Sequence, residues 1–283
     1  MTETTIDIAG LTVHGEDQHT SGALQFVNLI DWYSITESKS DVRERPQAHG
    51  AFGIADDFRK SAVISFDGWC ECDSWAETLT RMREVRRALN GNRPALITVT
   101  DELGATSRTV SVRTAPLKED QFARRFTFAV DMVAPDANRY GPAASVSTGL
   151  PTSGGGIAYP IVYPISYGTP GNPGRVITEN PGDEDTYSLL EVTGGLGGGF
   201  ELTEGQTGQA LRFERVIPLG STVFLNPRTG RAYLDTPGND VSGFLTRREW
   251  WSVPAQGSRE IQFASIGVVT GTPTLTARTS PAH

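Results

Sequence analysis

Apolar and polar residues alternate over short stretches along most of this chain, and that period of two predicts strands. Leu190-Glu191-Val192-Thr193 and Phe200-Glu201-Leu202-Thr203 are the clearest examples. Between them Gly194 to Gly199 supplies the freedom at φ > 0 that a reversal needs, so the pattern predicts two strands around a glycine hinge, opening a sandwich sheet. A turn-rich acidic head, Asn180 to Asp185, precedes them. Upstream, residues 6–13 and 23–33 are β-rich runs, 61–69 is a strand, 95–112 a hairpin turning near Asp101 to Gly104, and 121–132 a further strand. Downstream, residues 222–225, 231–235, 250–253, 260–264 and 273–278 recur at short intervals with turns such as Asn226-Pro-Arg-Thr-Gly between them, which predicts a β-sandwich.

Two stretches break the period. Residues 73–90 form a helix: Ser74 with Glu77 makes a capping box, Trp75, Leu79, Met82, Val85 and Leu89 return at helical spacing, and Asn90-Gly91 supplies the stop. Residues 37–60 have charge, Pro46, Gly50 and Gly53 but no sustained period, which predicts a long loop. Its isolated Val42, Phe52, Ile54 and Phe58 are too apolar for simple disorder and suggest a segment ordered by a partner. Residues 143–156 are rich in Ser, Thr, Gly and Pro, the composition of a link, so domains 1–147 and 148–283 are predicted, with a frayed tail from Thr279 to His283.

Composition fits this picture. Gly (31) and Pro (17) together make about 17% of the 283 residues against roughly 12% in average usage, which disfavours a helical protein. A net charge of −8 gives no footprint for gripping phosphates, so sequence-specific nucleic-acid binding is not expected. In such an acidic chain Arg81, Arg83, Arg86 and Arg87 read as a solvated helix face or a salt-bridged subunit contact. No run approaches 18 apolar residues and the first residues lack a signal-peptide pattern, so neither membrane insertion nor export by that route is expected.

The sequence carries no recognisable catalytic constellation. The glycine run leads from strand into strand and lacks the Lys and spacing of a phosphate loop. Cys70 and Cys72 share a face if on a strand, or both sit in a turn, and the four histidines show no ligand spacing; ordinary free thiols are the reading. Asp183, Glu184 and Asp185 lack an EF-hand spacing and read as a polar turn. No enzyme, cofactor or metal is expected. Trp250 and Trp251 adjoin on a predicted strand, so one must face outward, there to stack on a sugar or to be covered by a neighbouring loop or subunit.

The acidic head, the strand after it and Gly199-Phe200 resemble the opening of the C-terminal domain of siphophage distal tail proteins. Leu211-Arg212-Phe213, Gly220-Ser-Thr-Val, Pro227-Arg-Thr-Gly and Trp250-Trp251 follow in the same order, and upstream Arg43, Arg45, His49-Gly50, Arg59 and Phe66-Asp67-Gly68 match. The resemblance implies a mainly β protein: a tail-tube-like β-sandwich with one flanking helix, then a galectin-like β-sandwich. It implies a virion protein, assembled in the host cytoplasm, whose hexameric ring joins the tail tube to the tail-tip hub and passes DNA, with tail-tube, hub and tape measure proteins as partners. The subunit-contact residues are then Arg43, Arg45, His49, Phe52, Ile54, Phe58 and Arg59, the loop engaging the adjacent subunit. The competing reading is a carbohydrate-binding adhesin acting through Trp250 or Trp251.

Overall fold

The computed structural model describes residues 4–15, 20–39, 44–49, 52, 58–90, 93–154 and 170–283. The chain divides into two units, Met1–Gly141 and Pro142–His283. Both are β-rich, and the first carries the one α-helix among the described residues.

In the first unit β1 (Thr5–Ile8) and β2 (Leu11–His14) form a tight hairpin over Ala9-Gly10, followed by β3 (Leu24–Ile30) and the ten-residue β4 (Ala62–Glu71). After helix α1 (Trp75–Leu89) come β5 (Ala95–Asp101), β6 (Gly104–Thr114), β7 (Leu117–Asp120) and β8 (Arg125–Ala134). The strand order is β4-β3-β2-β1-β5-β6-β8-β7, and β4 also pairs with β8 along all ten residues, from Ala62↔Ala134 to Glu71↔Arg125. One sheet therefore closes on itself into a barrel, where two stacked sheets were expected. Closure needs bending, and β3 supplies it through a bulge between Phe26 and Asn28, opposite Gly68. A Cβ on Gly68 would lie 2.0 Å from the Gln25 carbonyl oxygen, so only glycine admits that approach.

Alternation sends Ile64, Phe66, Phe126, Phe128, Val130 and Met132 into the barrel core with Trp32, Ile97 and Val99. Each large apolar side chain so buried contributes roughly 1.5–3 kcal/mol. Helix α1 begins where the capping box places it, with Ser74 Oγ accepting from the Glu77 N–H at 3.2 Å. Val85 and Leu89 join the core, Met82 is half-buried, and Leu79 stays 37% exposed. Thr78, missing from the predicted face, is buried and donates to the Arg124 carbonyl. Cys70, on β4, and Cys72, just beyond it, are free buried thiols with sulfurs 3.9 Å apart.

The second unit holds two five-stranded antiparallel sheets. Its strands are β9 (Ala144–Gly149), β10 (Arg175–Asn180), β11 (Leu189–Thr193), β12 (Phe200–Glu204), β13 (Ala210–Phe213), β14 (Thr222–Asn226), β15 (Arg231–Leu234), β16 (Leu245–Arg248), β17 (Gly257–Ser265) and β18 (Thr274–Thr279). One sheet runs β10-β17-β12-β13-β16 and the other β15-β14-β11-β18-β9. Val192, Val223 and Leu275 from one, with Phe200, Phe213 and Phe263 from the other, share a single core.

Three expectations for this unit are corrected. The glycine run is no hairpin, because β11 and β12 belong to different sheets and the run crosses between them. It is closely packed: Gly195 has φ of 101°, and a Cβ there would lie 1.8 Å from the Thr270 carbonyl oxygen. The expected link at 143–156 contains β9, which pairs with β18 from Ala144↔Thr279 to Gly149↔Thr274. The tail is not frayed either, since Thr279 and Ala282 are buried. Glu184 bridges Ala282, Thr186 Oγ1 donates to the Ser280 carbonyl, and Asn180 adds to this hold: its Oδ1 accepts from the N–H groups of Gly182 and Ala282, and its Nδ2 reaches the carbonyls of Glu184, Val253 and Pro254.

Candidate functional site

The segment from 37 to 60 leaves the barrel and returns to it through a paired base. Ser38 and Arg59 form an antiparallel bridge, Lys39 N donates to Phe58 O at 2.6 Å, and Lys60 N donates to Glu37 O at 2.8 Å. A Lys60–Glu37 ion pair of 2.9 Å reinforces the base and holds the Glu37 carboxyl below its usual range. Above it, Arg45 lies over the Phe52 ring with its guanidinium carbon 5.8 Å from the centroid. Phe52 and Phe58 are 57% and 67% exposed, His49 and Arg45 are exposed, and Arg59 is half-buried. Arg43 and Ile54 lie outside the described residues. The structure thus brings Arg45 to Phe52 and Phe58-Arg59 to Ser38-Lys39, while leaving both phenyl rings in solvent. Beside the base, Ile35 and Val63 are 80% and 51% exposed.

A second cluster in the same unit escaped the sequence reading. Trp32 is wholly buried and donates through Nε1 to Thr106 Oγ1 at 3.3 Å, and the Arg108 guanidinium lies 5.4 Å from its ring centre. Arg108 is only 4% exposed, and neither its Nε nor its Nη1 has a hydrogen-bond partner. Burial, and then the nearby Arg139 charge, lower the Arg108 pKa. Next to it Tyr33 donates to Asp101 Oδ2 at 2.6 Å beneath Arg139. Burial, followed by that bond, pushes the Tyr33 phenol up to about 12, and the bond draws Asp101 below the carboxylate range. The signal was alternation: Arg108 shares the parity of buried Val110 on β6.

In the second unit the tryptophans lie beyond the end of β16, outside any strand. Trp251 is 7% exposed and part of the core; Trp250 is half-buried against the same core, with Gly230 packed near its indole nitrogen. Trp251 is closed off in the core and Trp250 is partly covered, and because neither lies on a strand the inward-outward split expected of a strand does not apply. Asp185 accepts from Ser252 Oγ and the Ala255 N–H, and Asp183 faces Gln256 and His283. The acidic head is thus tied into the loop after Trp251. Among the described residues no group of three or more His, Cys, Asp or Glu side chains is placed to hold a metal ion. No helix among them is long and apolar enough to cross a membrane.

No protein-family model and no curated protein sequence matches the chain. Solved structures do. The SPP1 Dit (gp 19.1) protein, a paradigm of the hub adsorption apparatus in phages infecting Gram-positive bacteria, aligns over 99% of this chain and 99% of its own, with a TM-score of 0.65 at 13% identity. The chain shares its fold with SPP1 Dit. A chain of the phage P2 baseplate in its activated conformation with Ca covers 99% of this chain and 98% of its own, with a TM-score of 0.56 at 10% identity. The corresponding structure with Sr covers 98% and 97%, with a TM-score of 0.55 and 10% identity. A Dit-like fold thus spans both units, the level at which identities this low are informative.

Proposed function

We propose that this chain is a structural component of a phage tail, a distal tail protein whose first unit builds a six-membered ring joining the tail tube to the tail-tip hub. The observation that carries this reading is the alignment with SPP1 Dit over 99% of both chains, covering the β-rich second unit as well as the first. The loop at 37–60 supports it, because exposed Phe52 and Phe58 held on a paired base are what a subunit contact requires. In this reading the ring is a conduit for DNA, and the net charge of −8 suits a surface that must not hold phosphates. The galectin-like sandwich is our reading of the second unit, whose two five-stranded sheets share one core. Tail-tube, hub and tape measure proteins are its partners in the virion. The adhesin reading loses its main support, since Trp251 is in the core and Trp250 is half-buried.

Mass photometry and negative-stain microscopy of the purified chain test the proposal. The expected species is a closed six-fold ring of roughly 180 kDa, built from 30.5 kDa chains in cyclic head-to-tail contact. A two-fold dimer that persists in assembled tails, or selective glycan binding without any ring, would overturn it.

A further inference from the structure

Beside α1 the barrel leaves an open groove of about 550 Å³ between the helix and the end of β6. Its apolar wall includes Leu79, Met82 and Val112, and its rim carries Arg83, Arg86 and Arg113. All three arginines are exposed, and none pairs with a carboxylate among the described residues. An apolar slot with a cationic rim matches an apolar residue flanked by acids.

The chain presents such a group at the other end of the same strand. The β5–β6 hairpin turns through Glu102-Leu103, with Asp101 opposite Gly104, and Leu103 is 98% exposed at its tip. Leucine has no local reason to be there, because two-residue turns favour Asn, Asp and Gly. The tip is held in shape: Asp101 Oδ1 accepts from the Leu103 N–H at 2.8 Å, and its other oxygen is bonded to Tyr33. Arg113 lies nine steps along β6 from Gly104, roughly 30 Å of extended chain, so a tip cannot reach the groove of its own barrel.

We infer that the Glu102-Leu103 tip of one copy docks in the Arg83–Arg86–Arg113 groove of the next, a head-to-tail contact distinct from the loop at 37–60. It rests on the ring reading, since one tip and one groove on each chain generate a closed ring or an open stack. Phe122, fully exposed in the turn after β7, is the rival occupant, but Lys118, Arg124 and Arg125 flank it along with Glu119 and Asp120, so it offers no net negative charge.

Cysteine cross-linking of the full chain tests this. Leu103→Cys combined with Leu79→Cys should give, on mild oxidation, a ladder of covalent multimers, while each single variant gives dimers at most. Native Cys70 and Cys72 are buried and contribute no background. Arg83→Glu with Arg86→Glu should weaken association tenfold or more, and adding Glu102→Arg should restore it. Absence of a ladder beside rings in negative stain overturns the tip contact and leaves the ring standing. A ladder from Phe122→Cys with Leu79→Cys, and none from Leu103→Cys, overturns the choice of occupant. Neither ladder nor ring sinks both readings.

Discussion

Asn180 joins three separate stretches of the second unit with one amide, and it is 1% exposed. Removing it leaves buried N–H and C=O groups unpaired and takes one bond from the C-terminal residues, which Glu184 and Thr186 also hold. Asn180→Ala should therefore cost about 3 kcal/mol, read as a lowered melting temperature in calorimetry. A change within about 0.5 kcal/mol would show the junction to be held by its other contacts. The Asn-Pro-Gly turn was legible in the sequence, but its burial depends on Ala282, 102 residues away, and no local pattern carries that distance. Glu204 makes a pH-dependent counterpart. Burial alone would push its carboxyl up, yet bonds from the Thr207 hydroxyl and N–H and from the Gln206 N–H, with Arg259 nearby, hold it below its ordinary value of 4.5. A depressed folded pKa contributes stability that is present above the unfolded value and lost as pH falls through the folded one. The stability gap between the natural chain and Glu204→Gln should thus be full at neutral pH and shrink as pH drops below 4.5. Urea titrations at several pH values measure it, and a gap that widens in acid would contradict the assignment.

At the scale of elements, the loop at 37–60 closes through Ser38 and Arg59, with Phe58 at that base and Phe52 further along the chain. Exposed Phe52 adds little to the barrel core, so replacing residues 41–57 with a short Gly-Ser turn, which keeps Phe58 at the base, should leave a soluble chain with nearly unchanged melting. The same chain should fail to form rings or enter tails. Docking would bury Phe52 and Phe58, contributing roughly 1.5–3 kcal/mol each before the cost of ordering the loop. Rings from the shortened chain would place the loop outside the assembly contact, and a chain that no longer folds would place it in the core. Local pattern announced the helix, the β5–β6 hairpin and the alternation of β8, because each is written in residues a few positions apart. It misjudged the glycine run, since glycine serves equally for a reversal and for close backbone approach, and only the neighbouring Thr270 and Pro218 carbonyls decide which. The Trp pair failed similarly: reading it as strand forced an inside-outside split, whereas irregular backbone lets both rings pack inward.

For the molecule as a whole, sequence order predicts strands but not which distant strands meet. Pairing of β4 with β8 joins residues about 60 positions apart, and it alone separates a closed barrel from stacked sheets. The division of the chain can be tested in the same terms. Each unit has its own core of buried residues, so each should fold when expressed alone. The join matters, however. Cutting at 147/148, where composition suggests the link, removes Ala144 to Ser147 from β9 and strips four of its six paired positions from β18. Most of β9 is exposed, so the loss is chiefly of ladder hydrogen bonds, about 2 kcal/mol in all. The uncovered edge of β18 is also a template for pairing with other chains. Residues 142–283 should accordingly unfold as a monomer in one cooperative step, while residues 148–283 should melt lower and associate as concentration rises. Calorimetry and sedimentation of the two fragments decide the matter: equal stability and equal solubility would make β9 an ornament of the sheet, and the link would then begin where its composition changes.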